Sequence, residues 1–425
     1  MPAFPRNDMP LVTLSFELHQ PRRLRRYTFF DIGRSHNYED LESSRQMMAK
    51  LSEKCYLPTN AVIQDLIREH GGAFQVSFGI SGLFLEQLGK SRKKVVDSFR
   101  RLADTGCVEF LGGTYHHSLA FLYAKKEFED QVRLQRELIE NLFGEAPLSF
   151  MNTGLIYNDD LAKALERMGF HAVLSEGSER VHEGRSPHVL YRPKGCKRIG
   201  LHLRNDHLSD DISFRFSDRT WSEYPLTAEK YAGWVHQVKG KNTVVNILVD
   251  YETFGENQWA ETGIFEFLKA LPRAILKNPD FRFSTPAEVV KKVKPAGELS
   301  LPEFTSWMGV EKNLKAWCGN HLQKDALGAL YGLARRVRLK KDERLTKVWR
   351  LLQAADHFYY MGDQRQEAGD TTRSLNPYPS PYDAYINFMN VLTDYSNTLK
   401  PGVPAVKKKG RALPALKKRS RRSKK

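Results

Sequence analysis

The chain changes from apolar to acidic and aromatic within the segment Val245-Asn-Ile-Leu-Val-Asp250-Tyr-Glu-Thr-Phe-Gly-Glu256-Asn-Gln-Trp259. The β-branched run up to Asp250 has the pattern of a buried strand that brings a carboxylate to the lip of a cleft. The acids Asp250, Glu252 and Glu256 lie beside three aromatic residues. Carboxylates handle protons and hydroxyl groups while aromatic rings pack on sugar faces, so the cluster favours a carbohydrate site. The alternative is a strand followed by an acidic, solvated loop.

Polar residues also follow other predicted strands. The strand predicted at 11–18 ends in His19 and Gln20, and a following proline prevents further pairing. A later strand-like segment contains Glu109 and leads into His116. Binding sites in parallel α/β folds are built at the carboxyl ends of strands, so we predict that these four side chains belong to one site. A purely structural role is the alternative for a single histidine at such a place.

Strands and helices alternate from residue 11 to about residue 293, which predicts a parallel sheet with crossover helices. Polar clusters at the carboxyl ends of at least five strands favour a closed or nearly closed β/α barrel over an open sheet. From about residue 310 the pattern becomes helical. We predict a barrel at 1–294, a helical domain at 303–398 and a disordered basic tail at 399–425.

The formal net charge of +16 over 425 residues is concentrated at the C-terminus. Residues 407–425 hold eleven lysines and arginines and no acid, which leaves a net charge of +5 for residues 1–406. Such a tail can contact nucleic acid or another polyanion. A solvated tail without a defined partner is the alternative.

The cysteines predict a reducing compartment. None of the four, at positions 55, 107, 196 and 318, has CxxC or Cys/His ligand spacing. We predict reduced thiols in a cytoplasmic protein, without a metal, a cofactor or a disulfide. The sequence has no apolar run of about 18 residues, which argues against a membrane span, and the N-terminus has no secretory pattern.

Five motifs in order resemble the sequence regions of glycoside hydrolase family 57, which contains α-amylase-type enzymes and glucanotransferases. The motifs are His19-Gln-Pro21, Gly106-Cys-Val-Glu109, Asn152-Thr-Gly-Leu-Ile-Tyr157, Asp250-Tyr-Glu-Thr-Phe-Gly-Glu256 and Ser284-Thr-Pro286. The resemblance covers most of residues 11–392. It implies an incomplete barrel of seven strands followed by a helical domain, and an α-glucan or maltooligosaccharide as the substrate.

The resemblance also implies catalytic roles. Family members are retaining hydrolases, and Asp250 falls at the position of their general acid/base. Their nucleophile is a glutamate after Asn-Thr, where this chain has Gly154. Glycine can neither attack a sugar nor hold a covalent intermediate. Glu176 ends the next predicted strand and is a candidate for substrate contact or for replacing the nucleophile.

Three hypotheses follow. The first is an α-glucan-binding protein with impaired hydrolysis, which uses His19, Gln20, Glu109, His116, Glu176, Glu252 and Trp259 for substrate binding. The second is an active hydrolase or 4-α-glucanotransferase that uses another carboxylate such as Glu176. The third is a polysaccharide deacetylase-like metalloenzyme. Adjacent His116 and His117 without an H-x-x-x-H pattern disfavour the third hypothesis, so no metal ligands are assigned.

Overall fold

The computed structural model describes residues 9–89, 92–238, 240–363 and 376–400. Nearly all of the basic tail predicted at 399–425, including the proposed polyanion contact at 407–425, lies outside the described residues. No helix within the described part of the chain is long and apolar enough to cross a bilayer. The four cysteines are described, and none of them forms a disulfide.

The strands follow the apolar segments of the sequence closely. The described residues contain β1 Leu11–Leu18, β2 Val76–Ile80, β3 Val108–Leu111, β4 Ser149–Phe150, β5 Ala172–Ser175, β6 Arg192–Pro193, β7 Gly200–Leu203, β8 Val244–Asp250, β9 Arg282–Phe283 and β10 Glu298–Leu299.

Parallel strands form two main sheets that are joined to each other at both edges. The first has the order β3-β2-β1-β8, with β9 beside the start of β1, and the second has the order β4-β5-β7. One parallel bridge, Gly112 to Phe150, connects β3 to β4, and another, Arg204 to Asn246, connects β7 to β8. The predicted α/β class is therefore confirmed, and the parallel sheets have a barrel-like arrangement whose strand ends surround one opening.

The helices cover the outside of the sheets and then continue beyond them. They are α1 Leu41–Leu51, α2 Leu57–His70, α3 Gly82–Leu88, α4 Lys93–Ala103, α5 Ala120–Tyr123, α6 Lys125–Phe143, α7 Asp159–Arg167, α8 Glu179–His182, α9 Asp206–Asp210, α10 Ala228–Gln237, α11 Ile264–Leu276, α12 Pro286–Lys292, α13 Lys315–Cys318, α14 His321–Gly332, α15 Ala334–Lys340, α16 Glu343–Leu351, α17 Ala355–Tyr359 and α18 Pro381–Thr398.

Pro58 predicts an interruption of the first long helical region, and this prediction is wrong. A π-helical segment, Ser52–Tyr56, joins α1 to α2 without a break. Pro58 then occupies one of the first positions of α2, directly after the π-helical segment, and such segments accommodate local irregularities inside a helix. This continuous helical region carries Tyr56 toward the pocket described below.

Two large hydrophobic cores stabilise the two halves of the barrel. The first contains Phe16 and Phe78 from β1 and β2. The second contains Phe150 from β4 together with Trp349 and Phe388 from α16 and α18. The C-terminal helices thus share a core with the second sheet and are held against it. The predicted domain division near residues 294 and 303 stays a prediction.

Candidate active site

A pocket opens where β1 and β8 end and where the C-terminal helices approach the sheets. Glu17 at the end of β1 and Asp250 at the end of β8 lie in its wall. The other lining residues that matter below are His19, Gln20, His117, Gly154, Glu252, Trp307, Trp317, Asp356, Tyr359 and Tyr360. Carboxylates, imidazoles and aromatic rings therefore face a common space, as the sequence predicts for a site at strand ends.

Asp250 is surrounded by groups that favour its protonated form. It is paired in register with Glu17 on the neighbouring parallel strand. Burial raises the pKa of Asp250 well above the ordinary value, and the nearby carboxylates of Glu17 and Glu252 raise it further. A carboxyl group that holds its proton can protonate a leaving oxygen, which is the task of a general acid.

Glu252 is a buried acid with two hydrogen-bond donors. Tyr56 donates from its hydroxyl group to Oε1 at 2.6 Å, and Gln20 donates from Nε2 to the same oxygen at 3.2 Å. Burial raises the pKa of Glu252 to about 7, although both hydrogen bonds favour the ionised form and lower it. The acid therefore changes charge near neutral pH.

Glu252→Gln is expected to remove part of the pH dependence of folding stability. The carboxyl group has a pKa of about 7 in the folded protein and of about 4.3 when unfolded. Because the folded pKa is raised, its contribution to stability is complete at low pH and is lost as the pH rises through about 7. Between about pH 4 and pH 7.5, the unfolding free energy of wild type should fall by on the order of 3 kcal/mol relative to the variant. Urea denaturation measures this, and parallel pH profiles for the two proteins would contradict it.

His19, His117 and Asp356 form a connected group on another wall. Nε2 of His19 lies 2.9 Å from Oδ2 of Asp356, and the His19 and His117 rings stack with centroids 4.0 Å apart. Burial and the neighbouring His117 lower the pKa of His19. Burial also lowers the pKa of His117, but the nearby carboxylates of Asp356 and Glu17 outweigh it and raise the pKa to about 9. The same two histidines hold the pKa of the Asp356 carboxyl far below its usual range, against the effect of burial.

Gly154 lies in the pocket wall in a left-handed conformation, with φ 56° and ψ 27°. A Cβ atom added there would overlap the indole ring of Trp317 and would lie 2.6 Å from its Cζ2 atom. Trp317 is buried, and Gly154 accepts a backbone hydrogen bond of 3.1 Å from the N–H of Trp307. Trp317 thus fills the space that a side chain at position 154 would need.

The two other predicted acids do not reach the pocket. Glu109 is the second residue of β3 and accepts a hydrogen bond of 3.0 Å from the backbone N–H of Ala287, at the start of α12. It therefore lies away from the carboxyl end of its strand, which corrects the expectation from sequence. Glu176 is fully buried, with Oε2 3.2 Å from Nη1 of Arg204. Burial raises the pKa of Glu176, and Arg204 partly offsets this.

His116 and Trp259 also lie outside the pocket lining, which corrects two further expectations. The ring of His116 is buried beside Tyr115, and burial together with the charge of Arg350 holds its pKa well below normal. Trp259 is 64% exposed and precedes a short turn on the surface. Of the predicted binding residues, the structure brings His19, Gln20 and Glu252 together with Asp250 and Gly154.

Sequence reasoning missed Glu17, His117 as a pocket residue, Trp317 and Asp356. Glu17 had a usable signal, since an acid inside an otherwise apolar strand is costly to bury without a partner. His117 has φ 51°, and this left-handed turn, which the residue types do not reveal, sends neighbouring His116 elsewhere. Asp356 is 337 residues from His19 along the chain, so only the tertiary structure could join them.

The fold and the pocket are those of an α/β-barrel-like protein with a carboxylate and aromatic site at the carboxyl ends of parallel strands. Residues 13–302 match the family model described as glycosyl hydrolase family 57. A protein of Methanocaldococcus jannaschii, described as "Putative alpha-amylase", is 38% identical over 407 residues, which cover 92% of this chain and 85% of that protein. The chain therefore belongs to glycoside hydrolase family 57, as its motifs predict.

More distant relatives share the fold over much of this chain. Alpha-amylase 1 of Dictyoglomus thermophilum is 20% identical over 292 residues, which cover 66% of this chain and 40% of that enzyme. A family 57 branching enzyme of Thermococcus kodakaraensis matches in structure with a TM-score of 0.68 and 14% identity, over 93% of this chain and 91% of that one. The 4-alpha-glucanotransferase of Thermococcus litoralis matches with a TM-score of 0.65 and 15% identity, over 90% of this chain and 60% of that one. This chain thus spans less than two thirds of two of these relatives.

Proposed function

We propose that this protein binds an α-glucan or maltooligosaccharide in the pocket and hydrolyses it poorly or not at all. Family membership supports the substrate class. The overlap between Trp317 and any side chain at Gly154 supports the loss of hydrolysis and carries the proposal. The pocket has a candidate acid in Asp250 but lacks space for a carboxylate at position 154.

Retaining hydrolysis needs two carboxyl groups about 5–5.5 Å apart, one to attack the anomeric carbon and one to protonate the leaving oxygen. Asp250 is the candidate for the second role because its surroundings favour the protonated form. Gly154 offers no attacking atom, so no covalent glycosyl intermediate can form there. Without an attack on the anomeric carbon, a proton donated by Asp250 to the leaving oxygen does not complete the retaining reaction.

The remaining pocket has the chemistry of a sugar-binding site. Trp307, Trp317, Tyr359 and Tyr360 line it, and such rings provide flat apolar faces for pyranose rings. Glu252 and Gln20 are linked by a hydrogen bond, so each holds the other in place to contact sugar hydroxyl groups. Asp250 can donate a hydrogen bond to a glycosidic oxygen without breaking the bond. His19 completes the proposed binding set.

Titration calorimetry with maltoheptaose tests this proposal. Wild type is expected to bind, and Glu252→Gln is expected to bind about 10–100-fold more weakly, since a hydrogen bond to a charged group contributes about 1.5–3 kcal/mol. The titrations should be run above pH 7, where Glu252 is mostly ionised.

Glu109→Gln is the matched control because Glu109 is also an acid with a raised pKa, but it is half-buried and lies outside the pocket. It should bind as wild type does. Equal affinities of wild type and Glu252→Gln would remove Glu252 from the site, and absence of measurable binding by wild type to any α-glucan would refute the proposal.

An active hydrolase or 4-α-glucanotransferase is the second candidate, and Glu17 rather than Glu176 favours it. Glu17 lines the pocket opposite Asp250 in the strand register, whereas Glu176 is buried against Arg204. Nε2 of His117 lies 3.0 Å from Oε1 of Glu17, so one oxygen of this carboxylate already has a hydrogen-bond partner. Turnover that Glu17→Gln abolishes would support the second candidate over the first.

We also propose that the chain forms an incomplete barrel followed by a helical domain. The observed pairings support an incomplete barrel built from β1, β2, β3, β4, β5, β7 and β8, because single bridges alone close its two joints. The barrel region is 1–294 and the helical domain is 303–398. The helical domain contributes Trp317 and Asp356 to the pocket, which gives it a direct part in ligand binding.

A further inference from the structure

Three ligand-type side chains converge in the pocket from distant parts of the chain. His19 follows β1, His117 lies in the segment after β3, and Asp356 belongs to α17. One candidate ligand atom of each lies within 4.8 Å of the other two. No metal ligands are predicted from the sequence, since that prediction depends on the adjacent pair His116 and His117. The structure separates that pair and joins His117 to His19 and Asp356 instead.

Both measured distances to Asp356 lie within about 0.5 Å of the spacing around a small divalent cation. Ligand atoms about 2.0–2.1 Å from a tetrahedral zinc ion are about 3.4 Å from each other. The carboxylate atom Oδ2 of Asp356 lies 2.9 Å from Nε2 of His19 and 3.9 Å from Nδ1 of His117. These values fall on either side of the tetrahedral spacing. The two rings are stacked with their planes 28° apart, so one ring must turn before both nitrogens can bind the same ion.

Each imidazole has an outer partner of the kind that accompanies metal-binding histidines. The second ring nitrogen of each histidine already has an oxygen partner: Ser81 Oγ lies 2.7 Å from Nδ1 of His19, and Glu17 Oε1 lies 3.0 Å from Nε2 of His117. Such outer partners fix the tautomer and the direction of a metal-binding histidine. Both remaining nitrogens face Asp356.

His117 carries two further signs of a ligand. Its Nδ1 atom is buried and has no hydrogen-bond partner among the described residues. Its backbone has φ 51°, a conformation that is strained for a non-glycine residue and that persists where surrounding structure requires it. In this conformation the ring lies beside His19 and Asp356.

We propose that His19 Nε2, His117 Nδ1 and one oxygen of Asp356 bind a divalent transition-metal ion of the zinc type. Two imidazoles favour such ions over magnesium or calcium, which prefer oxygen ligands. The three residues line the pocket, so the fourth position of the ion faces the space that a substrate or water can enter. Metal binding does not depend on the glucan proposal, because it is measured without sugar.

Metal titration of the EDTA-treated full chain tests the site, with Zn²⁺ and Co²⁺ as probes. Wild type is expected to bind one equivalent, to gain thermal stability, and to give the visible absorption of a Co²⁺ ion with nitrogen ligands. Asp356→Asn and His117→Asn are expected to lose this binding. Glu17→Gln, which alters only an outer partner, should bind about 10–100-fold more weakly.

His171→Asn is the matched control because His171 is exposed and lies outside the cluster. It should bind as wild type does. Melting curves in EDTA establish that each variant is folded, and Asp356→Asn and Glu17→Gln preserve side-chain shape. Absence of stoichiometric binding by wild type, or binding that is unchanged in both Asp356→Asn and His117→Asn, would overturn the proposal.

Discussion

Gly154→Glu combined with Trp317→Phe is expected to release sugar from amylose on the order of 10²-fold faster than wild type, which corresponds to about 3 kcal/mol of transition-state stabilisation. The new carboxylate would supply the attacking atom that the pocket lacks, and Asp250 would supply the proton. Gly154→Glu alone is expected to stay inactive. A reducing-sugar assay on the three proteins measures this difference.

The reason for the second substitution lies in the shape of the indole. The three Trp317 atoms nearest to a Cβ at position 154 are Cη2, Cζ2 and Cζ3, all on the far edge of the six-membered ring. Phenylalanine lacks this edge but keeps an aromatic ring in the core. In the single variant, overpacking costs about 1–3 kcal/mol, and the left-handed backbone costs about 1–2 kcal/mol more. Gly154→Glu should therefore melt below both wild type and the double variant.

Gly154→Gln with Trp317→Phe is the matched control. It has the same shape as the active combination but no nucleophilic carboxylate, so it should release no more sugar than wild type. Equal activity of the Glu and Gln combinations would show that the gain comes from a wider pocket and would separate Gly154 from catalysis. Gain of activity by Gly154→Glu alone would show that Trp317 is not an obstacle.

Asp250→Asn in the revived double variant is expected to lower kcat by about 10²–10⁴-fold, the usual contribution of a positioned proton donor. Asparagine has nearly the same shape but cannot transfer a proton. The loss should be much smaller on an aryl maltooligosaccharide whose leaving group needs no protonation. Steady-state kinetics on the two substrates measure both effects.

Glu109→Gln in the same background is the control, because Glu109 is hydrogen-bonded to the start of α12 and does not line the pocket. Its kcat should equal that of the revived variant. Equal losses from Asp250→Asn on both substrates would contradict the general-acid role and would instead indicate that Asp250 holds the pocket together.

The fold was predictable to a large extent from the pattern of the sequence. The strand predicted at 11–18 and the apolar run that ends at Asp250 are β1 and β8 with the same ends. Continuous apolar segments of this length are typical of buried parallel strands. The helical join through Ser52–Tyr56 was not predictable, because Pro58 argues for a break that the π-helical segment avoids.

The site was predictable only where a motif and a strand end coincide. His19, Gln20, Asp250 and Glu252 follow directly from the ends of β1 and β8. Glu109 failed because it lies early in its strand. The sequence does not predict which side chains enter the pocket from backbone turns or from helices far along the chain. These side chains include His117, Trp317 and Asp356.

The pocket is proposed to bind an α-glucan and to hydrolyse it poorly or not at all. The most direct measurement is equilibrium dialysis of wild type against maltoheptaose, followed by chromatography of all the sugar recovered. Binding at one site per chain is expected, and nearly all of the maltoheptaose should keep its length. Conversion of most of the sugar to shorter or longer oligosaccharides, which stops with Asp250→Asn, would contradict the proposal, and so would the absence of bound sugar.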